Sequence, residues 1–166
     1  MAMDMFLKVK TIPGESTDDK HKEWIEVLSF SWGVSQTGAG SRSSGGAAAA
    51  ERCNHSDFSV VHTLDKASPK FFLSCCKGEH IGEVKLELCR ATGAKTKYME
   101  YKMEDVIITS VRPGGSAQGG ESLPLEEVSF NYGKITLDYI QTDHKTGASQ
   151  GSAGSVYWDV TANKGQ

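Results

Sequence analysis

Apolar and polar residues alternate along most of this chain with the period of two that is typical of β-strands. The alternation is clearest within the segment 14–36, which begins with turn-forming residues and then becomes apolar. There Phe30, Trp32 and Val34 alternate with serines and a glycine. The pattern predicts a strand whose large side chains enter a core, and whose opposite face is smooth enough to lie against another surface.

The same alternation recurs at short intervals and predicts about nine strands in all. The other segments are 3–10, 58–62, 84–89, 97–103, 106–112, 128–132, 135–140 and 156–160. Strands at this spacing, separated by turns, indicate a sandwich or barrel of antiparallel sheets. No repeat with a period of roughly 20–50 residues is visible, so we expect a single domain that spans residues 1–166.

One helix is predicted among the strands. Ser68 is a favourable N-cap, Pro69 suits the first helical position, and Gly78 is expected to end the helix. Phe71 and Phe72 each begin a pair at i,i+4 spacing that ends at a cysteine. A helix of about nine residues is not stable alone. We therefore expect both phenylalanines to dock on a sheet.

Three loops are rich in glycine and other small residues: 37–51, 113–120 and 146–155. In the first loop Arg42 is the only charge before Glu51. Two interpretations of this loop stay equally open. It is either an idle excursion or an arm that becomes ordered only against a neighbour, because ordering small residues is unfavourable unless they are packed.

Composition excludes several classes of protein. The 166 residues carry a net charge of −3, with no block of consecutive basic residues, which argues against a nucleic-acid-binding face. The first ten residues include Asp4 and lack the apolar core of a signal peptide. No stretch approaches the roughly 18–20 apolar residues of a membrane span. We expect a soluble cytosolic protein without membrane insertion.

Residue types that carry chemistry form no strong pattern. Among four cysteines and five histidines, Cys53 and His55 come closest to a metal motif, but no second pair follows at zinc-finger spacing. We therefore expect buried free thiols, exposed or capping histidines, and no metal or cofactor. The adjacent acids at 18–19 and 126–127 should point apart as solvated charges.

Motifs of catalysis are not found either: the chain contains no nucleophile elbow and no phosphate-binding loop. Trp24, Trp32 and Trp158 are expected to be core or interface anchors rather than a ligand box. We expect an interaction protein and not an enzyme. On the residues alone, a monomeric barrel that carries a small ligand, or a hydrolase with an unrecognised site, stays open.

Six segments, in order along nearly the whole chain, resemble the Hcp family, the hemolysin-coregulated proteins of bacterial type VI secretion. They are MAMDMFLKVKTIPGES with HKEWIEVLSFSWGVSQ, LDKASPKFF, EVKLELCRATG, YKMEDVIITSV, SFNYGKITLDY and YWDVTANK. The resemblance implies a β-barrel of two antiparallel sheets with one short helix, similar to phage tail-tube proteins. It also implies homohexameric rings that stack into a tube.

The resemblance extends to partners and location. It implies a tube that is surrounded by a contractile sheath, capped by a spike protein, and able to carry small effector proteins in its pore. It implies secretion without a signal peptide after assembly in the cytoplasm. The family's extended loop, which reaches towards the neighbouring ring, matches positions Gly38, Gly40, Ser41, Arg42, Ser43, Ser44, Gly45 and Gly46. The run of alanines at 47–50 departs from the family pattern.

Deleting residues 41–49 is expected to leave hexamers intact and to abolish the stacking of rings and secretion. Ordering each loop residue costs roughly 1–2 kcal/mol before any contact forms, so the loop should contribute only in the assembled tube. Electron microscopy and light scattering of the deletion variant check this. Tubes formed by the variant would identify an idle loop, and loss of the hexamer would place the loop between subunits of one ring.

Overall fold

The fold was obtained as a computed structural model, which describes residues 3–37, 52–91, 94–119 and 123–166. These residues form twelve strands and one helix. The strands are β1 (Met3–Val9), β2 (Ile25–Val27), β3 (Ser29–Ser31), β4 (Val34–Ser35), β5 (Asn54–His55), β6 (Phe58–Thr63), β7 (Ile81–Arg90), β8 (Lys97–Gly114), β9 (Leu125–Asn131), β10 (Lys134–Thr142), β11 (Ser149–Asp159) and β12 (Lys164–Gly165). The helix is α1 (Ser68–Lys77).

The long strands form two antiparallel sheets that share β8. The first sheet has the order β12-β11-β10-β8-β7-β1-β2, and the second has the order β3-β6-β9-β8. All of these pairings are antiparallel. A separate two-stranded ladder joins β4 to β5. The chain therefore has the mainly β architecture that the alternating pattern predicts.

Strand β8 passes from one sheet to the other at Asp105. Its first half pairs with β7 and β10, and the part from Ile107 onward pairs with β9. Asp105 has φ +54°, a left-handed conformation that Asp adopts more readily than most residues. Gly133 N donates to the carbonyl oxygens of Glu104 and Asp105, at 3.0 and 3.1 Å. A Cβ at Gly133 would lie 3.1 Å from the Cβ of Asp105, so glycine allows this close approach.

A second crossing at Leu28 completes the barrel. Strand β2 pairs with β1 of the first sheet, and β3 pairs with β6 of the second. Between them Leu28 N donates to Val61 O at 2.8 Å. The path of neighbouring strands thus runs from β8 through β7, β1, β2 with β3, β6 and β9, and returns to β8. The predicted barrel of two antiparallel sheets with one short helix is confirmed.

The interior of the barrel is filled by apolar side chains from both sheets. Phe58, Phe130, Leu86 and Met103 are fully buried. Burying each such side chain contributes roughly 1.5–3 kcal/mol to folding.

The segment expected to be one strand from Ile25 onward is divided into β2, β3 and β4, because it bends from the first sheet to the second.

Helix α1 ends as expected and begins differently. Gly78 closes the helix with φ +59°, and its N–H donates to Cys75 O. Ser68 is the first helical residue and not the N-cap, which is Ala67 without a side-chain bond. The turn before the helix is instead held by Asp65, whose Oδ1 accepts a hydrogen bond from Ala67 N at 2.8 Å.

The helix docks with only one of its two phenylalanines. Phe71 is fully buried and packs against His62 and Phe130, at ring-centroid distances of 5.7 and 6.2 Å. Phe72 is 64% exposed, so the expectation that both dock is wrong for it. Consecutive residues on a helix point about 100° apart. A short helix on a barrel therefore covers one of them and leaves its neighbour outside.

The third small-residue segment is a strand and not a loop. Residues predicted as the loop 146–155 belong largely to β11, which pairs with β10 along its length. Gly151 and Gly154 adopt φ of +102° and +122°, near a shift in the β10–β11 register. Because residues 149–156 are exposed, they show no alternation of apolar and polar residues.

The substitution Phe71→Asp should lower the free energy of unfolding by more than about 3 kcal/mol, because it removes a buried ring and buries a charge. Phe72→Asp is the matched control, one residue further along an exposed face, and should change stability by about 0.5 kcal/mol or less. Urea unfolding followed by circular dichroism compares the two variants. Equal losses would show that the helix docks by another face.

Candidate functional site

An open apolar cleft lies where the β10–β11 hairpin extends past the body of the barrel. Its volume is about 300 Å³, and Trp32, Val34, Leu137, Val156 and Trp158 contribute to its walls. Val34 is 52% exposed and Val156 is 55% exposed. Large apolar side chains grouped on a surface mark sites of association. The β10–β11 hairpin thus has apolar side chains both in the core and exposed to solvent.

Hydrogen bonds to the buried Tyr132 hold two of the residues that line this cleft, Trp32 and His55. Trp32 Nε1 donates to the hydroxyl oxygen of Tyr132 at 2.6 Å, and His55 Nδ1 lies 3.1 Å from the same oxygen. Burial raises the pKa of Tyr132 and lowers the pKa of His55, so each group favours its neutral form. The Trp32 side of the cleft is therefore uncharged and fixed before any partner binds.

The outer edge of β11 is free beside this cleft. Strand β12 pairs only with Trp158 and Asp159. Within the described chain no strand pairs with the remainder of that edge, residues 149–156. An unpaired edge presents backbone N–H and C=O groups to any strand that approaches it. The edge and the apolar cleft together form what we call the β11 surface.

A second exposed apolar area lies at the other end of the strand order, on β1 and next to β2. Leu28 is 56% exposed and Met3 is 43% exposed. Lys95 and Glu26 lie close to these two residues. We call this area the β2 surface. Because β11 and β2 lie near opposite ends of the first sheet, the two apolar surfaces are separate and different from one another.

A buried ionic cluster lies on the outward face of the first sheet. His21 is 3% exposed; its Nδ1 is 2.8 Å from Asp18 Oδ1, and its Nε2 is 2.8 Å from Glu87 Oε2. The imidazole stacks on the ring of Phe6 at 4.1 Å. Lys95 Nζ lies 2.6 Å from the other oxygen of Asp18. The cluster therefore fastens the turn that precedes β2 to the sheet.

The charges of this cluster shift two pKa values in opposite directions. The hydrogen bond from Lys95, followed by the bond with His21, lowers the pKa of Asp18 to about 2. Burial, followed by the nearby carboxylates of Glu87, Asp18 and Asp4, raises the pKa of the Cys89 thiol to about 11. Asp18 is therefore ionised at neutral pH, whereas Cys89 holds its proton.

The expectation of solvated acids and exposed histidines is wrong at two pairs. Asp18 bonds to His21 as described. Glu126 Oε1 lies 2.9 Å from His62 Nε2, where β9 pairs with β6. Glu126 is 3% exposed and His62 is fully buried. The residues of the second pair are 64 positions apart. No local spacing pattern indicates such a pair, because the strand register brings it together.

Other candidate residues are placed separately. Cys53 and His55 do not converge on one point: the Cys53 thiol faces Asn54 O at 3.9 Å, and His55 bonds to Tyr132. The expectation of buried thiols holds for Cys89 and is wrong for Cys76, which is exposed. The proposed loop residues Gly38, Gly40, Ser41, Arg42, Ser43, Ser44, Gly45 and Gly46 lie outside the described residues.

The described helix is too short to cross a membrane.

Comparison with known proteins shows the class of this protein. Residues 6–139 match the family model described as "Type VI secretion system effector, Hcp". The chain is 36% identical over 164 residues to Protein hcp1 of Pseudomonas aeruginosa, and the match covers 98% of each chain.

Solved structures agree in fold over the full length. A structure described as a type six secretion system protein has a TM-score of 0.92 at 33% identity, covering 99% of this chain and 100% of that one. Hcp1 from Salmonella typhimurium has a TM-score of 0.79 at 31% identity, with 100% of both chains covered. The fold and the matches together define a type VI secretion system protein. The chain belongs to the Hcp family.

The pKa of Asp18 predicts a loss of stability in acid. Its unfolded value is 3.8 and its folded value is about 2. The contribution of Asp18 to the free energy of unfolding is therefore complete above pH 4 and is lost as the pH falls through about 2. Asp18→Asn should reduce the fall in unfolding free energy between pH 4 and pH 2, and the exposed Asp19→Asn should not. Urea unfolding across that range measures both, and identical pH profiles for the two variants would contradict the pairing.

Proposed function

We propose that this chain is the ring-forming subunit of the inner tube of a type VI secretion machine. Six copies close into a ring around a wide pore, and the rings stack into the tube. The observation that carries the proposal is the presence of two different apolar surfaces, the β11 surface and the β2 surface, near opposite ends of one sheet. The number six comes from the resemblance to the Hcp family.

Ring closure requires an interface of this kind. In a head-to-tail ring each subunit offers one surface to the neighbour on one side and a different surface to the other. A subunit with only one apolar surface would form a dimer and stop. The free edge of β11 can add hydrogen bonds to a neighbouring strand. The exposed side chains of Val34 and Val156 are removed from water when they pack against Leu28 of the next subunit.

Further partners follow from the same role. The tube is surrounded by a contractile sheath, carries a spike protein at its tip, and encloses small effector proteins in its pore. It assembles in the cytoplasm and is expelled into the medium or a target cell. The loop 38–50 acts between stacked rings. The chain has a structural role and no catalytic one, and it neither binds nucleic acid nor inserts into a membrane.

A monomeric barrel that carries a small ligand is the alternative function. Such a carrier needs a cavity inside the barrel, and Phe58, Phe130 and Met103 fill that interior instead. The cleft of about 300 Å³ is at the lower limit of ligand pockets, and it opens at the surface beside a free strand edge. Both features favour a protein partner over a small ligand.

Native mass spectrometry at micromolar concentration is expected to show a hexamer for the unchanged chain. Val156→Asp places a charge on the β11 surface, where burying it against a neighbour costs several kcal/mol. We expect at least about a 100-fold weaker assembly, seen as monomers. Phe72→Asp is the control, because it charges an equally exposed residue on the helix. A monomeric or dimeric unchanged chain would contradict the proposal. Loss of the ring only in Phe72→Asp would move the subunit contact to α1.

A further inference from the structure

The outward face of β7 carries three side chains that converge on one point. Glu87 and Cys89 are two residues apart on β7, so they project from the same face of the strand. His21 reaches over them from the turn before β2. His21 Nε2, a Glu87 carboxylate oxygen and Cys89 Sγ all lie within 4.8 Å of one another. We propose that these three residues bind a zinc ion.

The distances are close to those of a tetrahedral zinc site. Zinc lies about 2.0–2.3 Å from nitrogen, oxygen and sulfur ligands, so two ligand atoms of one site are about 3.3–3.6 Å apart. Here Glu87 Oε2 is 2.8 Å and Cys89 Sγ is 3.9 Å from His21 Nε2. The third distance, from the Glu87 carboxylate to Cys89 Sγ, is at most 4.8 Å, and rotation of these two side chains brings all three distances towards that range. The fourth position is taken by water, as in other three-ligand zinc sites.

The groups behind the ligands are already placed as they are around a bound metal. A zinc-bound histidine almost always donates its other ring N–H to a carboxylate or a carbonyl oxygen. His21 Nδ1 lies 2.8 Å from Asp18 Oδ1 in the same way. A ligating carboxylate is in turn hydrogen-bonded, and Glu87 Oε1 lies 3.4 Å from Lys97 Nζ. Its second oxygen, Oε2, is thereby left to face His21 and Cys89.

The carboxylates of Glu87, Asp18 and Asp4 surround this point and attract a cation, while Lys95 and Lys97 bond to their outer oxygens. His21 is 3% exposed and Cys89 is fully buried. Binding releases the proton of the Cys89 thiol, so that a thiolate, a carboxylate and the neutral imidazole of His21 face Zn²⁺. The charges of the first coordination shell then sum to zero. A mixed set of sulfur, nitrogen and oxygen ligands suits zinc better than calcium or magnesium, which prefer oxygen alone.

A zinc ion at this point adds a link within the subunit that tube formation does not require. His21 and Glu87 are 66 residues apart in the chain, and a shared ion joins the turn before β2 to β7. A metal that binds only the folded chain stabilises that state by mass action. Zinc at about 100 times its dissociation constant is therefore expected to raise the melting temperature by roughly 5–10 °C.

Titration of the purified full-length chain with zinc alone is expected to show one ion per chain. Cys89→Ser should weaken binding by at least about 100-fold and abolish the rise in melting temperature, whereas the exposed Cys76→Ser should change neither. Asp18→Asn should weaken binding by about 10–100-fold, the usual effect of removing a carboxylate behind a ligating histidine. Asp19→Asn is its matched control.

A second measurement decides the case if Cys89→Ser does not fold. In the variant that replaces Cys53, Cys75 and Cys76 with serine, Cys89 is the only remaining thiol. Cobalt, used as a visible substitute for zinc, should give this variant the absorption band of a thiolate-to-metal charge transfer. Absence of the band, or zinc binding that is unchanged in Cys89→Ser, would overturn the proposal. The cluster would then be a hydrogen-bonded network in which His21 bridges Asp18 and Glu87.

Discussion

The passage of β8 from one sheet to the other is the constraint on which the rest of the structure depends. One half of this strand pairs with β7 and β10, and the other half pairs with β9. The left-handed Asp105 and the close approach of Gly133 allow the turn. Because the two sheets share a backbone and a core, neither can separate without exposing Phe58 and Phe130. The barrel therefore unfolds as one unit.

The assembly surfaces follow from this topology. Once β8 has left the first sheet, β10 and β11 continue past the barrel, and the described strands leave part of their inner face open as a cleft. The barrel also bends at Leu28, which leaves that side chain outside. The same feature that completes the core thus leaves apolar area exposed among the described residues. In our proposal this chain buries that area against neighbouring subunits.

The sequence predicts those parts of the fold in which one face of an element is buried. Strands β1, β6 and β7 alternate clearly because their inner residues are in the core. The pattern fails for β11, whose first eight residues are exposed on both faces. It also cannot choose between Phe71 and Phe72, because the choice depends on the curvature of the sheet below the helix.

The functional surfaces are harder to predict than the fold, because long-range register creates them. The pairs of His21 with Glu87 and of His62 with Glu126 join residues more than 60 positions apart. Trp32 packs against the core, as predicted for an anchor, whereas the anchor roles of Trp24 and Trp158 stay predictions. Two apolar surfaces near opposite ends of a sheet have no signature in the sequence until the order of the strands is known.

The glycines of β11 have a consequence for how tightly subunits can associate. Gly151 and Gly154 hold φ values of +102° and +122° that L-amino acids rarely adopt, and open space surrounds both positions. Glycine adopts these angles without strain, but it also has more conformational freedom to lose than any other residue. A neighbouring strand that pairs with this edge restricts that freedom, and the entropy lost offsets part of the contact energy. The affinity along this edge is therefore lower than its contact area alone would give.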